Sequence, residues 1–194
     1  MNFSIILFEN FETLDVFGPV EVIGRLSQHY CMEFYSPGGG IIRSTQGVRV
    51  HTLPLEQLDE PGILFIPGGF GIRTEVSNGA LVGRLKELAE QAPFVLTVCT
   101  GSALLAKTGL LKGLRATSNK LSFAWVTGQA NDVIWVRNAR WVSDGKYYTS
   151  SGVSAGIDMT LGWIADTLGR ETARNIAQSI EYIWNEDPND DPFA

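Results

Sequence analysis

The 194-residue chain contains only two histidines and two cysteines, and this scarcity removes several kinds of chemistry at once. Cys31 and Cys99 cannot build a multi-bridge disulfide framework, and no Cys/His group has the spacing of a zinc site. Both are expected to be free thiols, with no metal bound. The 15 lysines and arginines are outnumbered by 21 aspartates and glutamates and never cluster. Affinity for nucleic acid rests on clustered cations that displace counterions from phosphates, so a nucleic-acid partner is not expected. Long apolar runs are missing too. The opening "MNFSIILFEN" has no basic residues ahead of its apolar stretch, which ends at Glu9, too early for a membrane span or a secretory signal core. The expectation is a cytoplasmic protein with a small-molecule substrate and no membrane partner.

What the chain does have is alternation. "FSIILF", "CMEFYS", "GILFI" and "FVLTV" read as strands, while "GALVGRLKELAEQ", "SAGIDMTLGWIADTLG" and "RETARNIAQSIEYIWNE" carry helical spacing. "LDVFGPVEVIGRL" is also helical but interrupted at Gly18-Pro19, with Pro19 expected in a first turn. "PGGGIIRSTQGVRVHT" suggests a hairpin excursion, "LRATS" a short strand, "SFAWVTGQ" a short helix, and "IWVRNARWVSDGKYYTSS" two strands with a turn at Asp144-Gly145. The tail "NEDPNDDPFA" reads as solvated. Without linker or repeat, residues 1–194 form one domain, and strands alternating with helices predict a three-layer α/β/α sandwich around a mostly parallel sheet.

Ligands of such sheets gather at the carboxyl ends of the strands, and three loops there bear chemistry: "ENFETLDVFGP", "PGGFG" and "CTGS". Cys99 stands where a strand formed by "FVLTV" turns into a helix. There a thiolate would meet free N–H groups and the positive helix end, which lowers a thiol pKa; the bland alternative is a buried, inert cysteine. Gly68 and Gly69, with the Thr100 N–H, could form an oxyanion-type pocket, although "PGGFG" alone can be a plain turn and matches neither the dinucleotide nor the Walker A pattern. "GVSAG" fits the serine elbow G-x-S-x-G, but no histidine follows Ser154, which reads instead as a helix N-cap. His29 and His51 lie in segments that do not identify a partner for Cys99. Asp15, opening a helix, has first-turn acid as its ordinary role. Cys31, between apolar residues of a strand, reads as core. Phe70, Phe123 and Trp125 could line an apolar pocket or simply fill the core.

Taken together, "IPGGFG", "TVCTGS", "GLLKGLRAT" and "SSGVSAGIDMTL" resemble, in order and interval, the ThiJ/PfpI superfamily of class I glutamine-amidotransferase-like domains. "TLDVFGP" and "VCTGS" are similar to its isocyanide hydratase branch. The resemblance implies a flavodoxin-like sandwich, a nucleophile elbow at Cys99, a homodimer and no cofactor. It places Asp15 beside the nucleophile as the acid, makes Thr100 and Gly69 backbone donors, and implies hydration of a small isocyanide to an N-substituted formamide. The chain departs from the hydratase pattern in carrying Asn119 where a histidine follows the "RAT" strand. It also has Thr97 in place of the first glycine of G-x-C-x-G, which speaks against amidotransferase or peptidase activity. Superfamily alternatives are glyoxalase or deglycase chemistry on 2-oxoaldehydes, a redox-sensing cysteine protein, and the sensor domain of a transcription regulator, for whose DNA-binding module the chain has no room.

Overall fold

The apolar run "NFSII" forms β1 (Asn2–Ile6), buried from its second residue onward, as expected of a strand covered on both faces. A computed structural model describes residues 1–194. The other elements are α1 (Thr13–Gly24), β2 (Cys31–Ser36), β3 (Gly40–Arg43), β4 (Arg49–Pro54), β5 (Ile63–Ile66), α2 (Ile72–Glu75), α3 (Gly79–Gln91), β6 (Phe94–Thr97), α4 (Gly101–Lys107), β7 (Arg115–Ala116), α5 (Phe123–Thr127), β8 (Ile134–Trp135), β9 (Trp141–Asp144), β10 (Tyr147–Ser150), α6 (Ala155–Leu168) and α7 (Arg170–Ser179). Eight strands share one sheet in the order β3-β4-β2-β1-β5-β6-β10-β9. Pairing is parallel except for the two edge strands, β3 on β4 and β9 on β10. This is the α/β sandwich expected from the alternation, in the flavodoxin-like form that the family resemblance implies. Since β1, β5 and β6 lie side by side, the three chemistry-bearing loops that follow them meet at one end of the sheet.

Four local expectations need correction. Pro19 lies inside α1 rather than in a first turn. It lacks the N–H that would reach the Asp15 carbonyl, yet the helix continues because its Gly18-Pro19 face packs closely on α6. A side chain at Gly18 would meet Ile157 at 2.7 Å, and one at Gly156 would meet Pro19 at 3.5 Å. Cys31 is exposed rather than core, because only the last two residues of β2 are buried. The stretch "IWVRNARWVSDGKYYTSS" supplies three strands, and β8 pairs with β7 outside the main sheet. Finally, the acidic tail is docked. The Pro188 carbonyl accepts the N–H groups of Arg140 (2.8 Å) and Trp141 (3.3 Å), and the buried Asp191 carboxylate lies 3.5 Å from both Lys120 and Arg140. Arg140 also pairs with the buried Asp158 at 2.8 Å, so the tail acids answer cations that the sequence pattern does not reveal.

Candidate functional site

Cys99 occupies the bend between β6 and α4 with a left-handed backbone, φ +57°. A side chain there costs about 1–2 kcal/mol, and the surroundings hold it in place. The Cys99 N–H donates to the Ser151 carbonyl at 3.0 Å. Its own carbonyl accepts from the hydroxyls of Ser102 (3.1 Å) and Ser118 (2.8 Å). Close approach does the rest: at Gly101 a Cβ would lie 2.4 Å from the Ile66 carbonyl oxygen, so only glycine lets α4 start against the end of β5. The sulfur is thereby aimed into the loop cluster, as on a nucleophile elbow.

Asp15 comes to the same point from the first turn of α1. Its side chain is fully buried. One carboxylate oxygen accepts the Gly68 N–H at 2.8 Å, and the other has no formal partner. Burial first, and the nearby Glu12 charge, hold its pKa well above the ordinary carboxylate value, while the Gly68 N–H and the Cys99 thiol partly oppose that rise. The thiol does not behave as its position beside a helix suggested. Burial, and then the Asp15 charge, push the Cys99 pKa up, whereas the N–H groups of Thr100 and Val153 and the Thr100 hydroxyl pull it back. Two acids this close and this dry do not both ionise at neutral pH. Both shifts run upward, so the pair retains at least one proton at neutral pH.

The expected glycine donors also have other partners. The Gly68 N–H is held by Asp15 and the Gly69 N–H by the Thr100 hydroxyl at 3.1 Å. A Cβ at Gly68 would sit 2.6 Å from the Thr100 nitrogen, so this loop is packed against the elbow. The groups directed at the sulfur are instead the N–H of Thr100, as expected, and that of Val153, which the sequence did not single out. Val153 is β-branched yet has φ +44°. Its position in "GVSAG" is the signal, although that motif matters here for its backbone and not for Ser154. Ser154 stands at the N-cap of α6 without a capping bond, and its hydroxyl accepts from Arg140 at 3.3 Å.

The elbow opens on a cavity of about 280 Å³ whose wall includes Gly69, Phe70, Thr100, Asn119, Val153 and Trp125. Phe123 is not part of it; that ring is buried against Trp135, centroids 6.4 Å apart. Asn119 uses its carbonyl oxygen to accept the Ser122 N–H at 2.9 Å, holding the loop ahead of α5. His29 and His51 are both exposed and neither lines the cavity, so the cysteine has a carboxyl neighbour and no imidazole. No group of three or more His, Cys, Asp or Glu side chains is arranged to hold a metal ion, and no helix is long and apolar enough to cross a membrane.

Known proteins carry the same arrangement of elements. The chain is 28% identical over 191 residues to an isonitrile hydratase of Pseudomonas putida, a match that covers 94% of this chain and 78% of that protein. It is 28% identical over 185 residues to the HTH-type transcriptional regulator CdhR of Pseudomonas aeruginosa, covering 92% of this chain and 54% of the regulator. The crystal structure of a ThiJ/PfpI family protein from Pseudomonas syringae matches the fold with a TM-score of 0.81 at 24% identity, over 93% of this chain and 74% of that one. Residues 1–166 match the DJ-1/PfpI family, and since they take in every strand, the elbow and nearly all of α6, the chain belongs to the DJ-1/PfpI family.

Proposed function

We propose that this protein is a cofactor-independent cysteine enzyme that hydrates a small isocyanide to an N-substituted formamide. The observation that carries this reading is the buried Asp15–Cys99 pair at the mouth of a small, largely apolar cavity. An isocyanide carbon accepts a nucleophile and a proton at the same atom, and the pair stores both. Sulfur attacks the terminal carbon while the retained proton passes to that carbon, giving a thioimidate, R–N=CH–S–Cys99. Asp15, left as a carboxylate, takes a proton from water as the water oxygen bonds to the same carbon and passes that proton to the nitrogen. Collapse breaks the C–S bond, releases R–NH–CHO and returns the proton to the pair. The sum is one isocyanide and one water consumed for one formamide. The N–H groups of Thr100 and Val153 stabilise sulfur when it carries charge. Asn119, in place of a titrating histidine, positions the substrate and its loop without exchanging protons.

The similarity to the isonitrile hydratase supports this choice of substrate class. The similarity to a transcriptional regulator supports a second reading, in which the cavity senses a small ligand without turning it over. Incubating the purified protein separately with an alkyl isocyanide and with methylglyoxal, while following formamide and lactate by NMR, distinguishes the readings. We expect formamide from the parent and none from Cys99→Ala. Lactate without formamide replaces the reading with glyoxalase chemistry, and neither product favours the sensor.

A further inference from the structure

Besides Cys99 itself, the cavity wall carries two charged side chains, Glu12 and Arg73. Glu12 is engaged: it accepts from Gln46 at 2.7 Å. Arg73, on α2, takes part in none of the salt bridges. In a chain of net charge -6, a cation beside a cavity with no acid against it stands out. The acid on its own short helix, Glu75, is occupied by Asn78 at 2.9 Å. Arg73 is also held in place. Its guanidinium lies 4.5 Å from the ring centroid of Trp125, a half-buried side chain on α5 that also lines the cavity. Stacking of this kind fixes the guanidinium plane and leaves the N–H donors at its edge free to take an acceptor. Phe70, Leu121 and Val153 give the rest of the wall its apolar part, beside the neutral polar side chains of Thr100, Asn119 and Ser122.

We infer that Arg73 is the receptor for a carboxylate on the substrate. The inference rests on the cavity being the substrate site and deepens that reading: the ligand has a compact apolar body, a reactive carbon facing Cys99, and a carboxylate facing the Arg73 edge. For the proposed reaction this means an isocyano carboxylate, hydrated to the corresponding N-formyl acid. A single guanidinium without a second cation matches a monoanion better than the double charge of a phosphate. The fork geometry favours two parallel hydrogen bonds to one carboxylate.

The test uses two alkylating probes of equal length, N-iodoacetylglycine and N-iodoacetylglycinamide, which differ in charge and not in reactive carbon. Both place the same S–C bond on Cys99 with loss of iodide, and neither needs turnover. Second-order labelling rates are measured by mass spectrometry on protein carrying Cys31→Ser. We expect the anionic probe to label about fivefold faster, the size of one solvent-accessible ion pair. The preference should shrink in high salt, fall to unity in Arg73→Gln and survive in part in Arg73→Lys. Equal rates in the parent, or a preference that persists in Arg73→Gln, overturn the assignment. The parent measurement and its salt dependence decide the matter even if a variant folds poorly. Anion preference without isocyanide turnover would leave the receptor standing and remove the hydratase reading; turnover without anion preference would do the reverse.

Discussion

Replacing Asp15 by asparagine preserves shape and removes one proton from the buried pair, so its effects can be worked through in sign and size. The amide oxygen can still accept the Gly68 N–H, which now meets the carboxylate at 2.8 Å, and the amide nitrogen can donate toward sulfur. Two unit charges about 4 Å apart repel by about 4 kcal/mol at an effective dielectric of about 20. Removing the Asp15 charge therefore removes the second-largest cause of the raised Cys99 pKa and leaves burial, the largest. The thiolate absorbance of Asp15→Asn should rise at lower pH than that of the parent, and as one simple titration. Turnover should move the other way. Loss of a positioned proton donor costs about 10²- to 10⁴-fold, so a more ionised sulfur should accompany a far slower enzyme. Stability adds a third reading. Burial raises the Asp15 pKa in the folded state, so folding takes up a proton there. This group's contribution is fully present below its unfolded value and is lost as pH rises through the folded one. The asparagine variant lacks that slope and should match or exceed the parent in Tm at neutral pH. A thiol that titrates at the same or higher pH in Asp15→Asn, together with undiminished turnover, would refute the proton-retaining pair.

Three further outcomes follow from geometry. Gly68→Ala would put a methyl 2.6 Å from the Thr100 nitrogen and 2.9 Å from the Asp15 carboxylate; a loss of about 1–3 kcal/mol in urea unfolding is expected, with loss of turnover in whatever folds. A bulky maleimide should modify the exposed Cys31 well before the buried Cys99, and peptide mapping that finds Cys99 modified first would contradict the described burial. Arg140→Leu would leave Asp158 and Asp191 buried without the cation that now lies 2.8 and 3.5 Å from them. A cost of about 3–5 kcal/mol is expected, seen as a lower urea midpoint, and a variant as stable as the parent would mean that Asp158 and Asp191 do not depend on that cation.

The order of strands and helices was legible because βα alternation leaves an imprint every few residues, as in "GILFIPGGFG" followed by "GALVGRLKELAEQ". The elbow at Cys99 was legible for the same reason: a strand pattern stops and a helix pattern starts with one residue between them. The state of the thiol was not, because it depends on how dry the pocket is and on an acid 84 positions earlier in the chain. Partner choice was hidden as well. "PGGFG" announces close approach but not that both leading N–H groups are taken, by Asp15 and by Thr100. Val153 has no side-chain signature and is marked only by its place in "GVSAG", since its role comes from a backbone angle that a β-branched residue rarely adopts. Asp191 looked like one more exposed acid because the cations it meets come from a loop and a strand end far away in sequence.

The docked tail also changes what the sheet presents to other molecules. Strand β9 is an edge, and an edge with free N–H groups is a template on which another chain can add a strand. By taking the N–H groups of Arg140 and Trp141 on one carbonyl at Pro188, the tail closes the start of that edge; the Asp144 carboxylate, which accepts the Arg115 N–H at 2.8 Å, ties β7 beside its end. The opposite edge is guarded differently. Strand β3 is four residues long and mostly exposed, and it ends with Arg43 directly across from Arg49, a like-charged pair that discourages an incoming strand. Removing the tail should therefore lower solubility before it abolishes folding, with self-association beginning at β9.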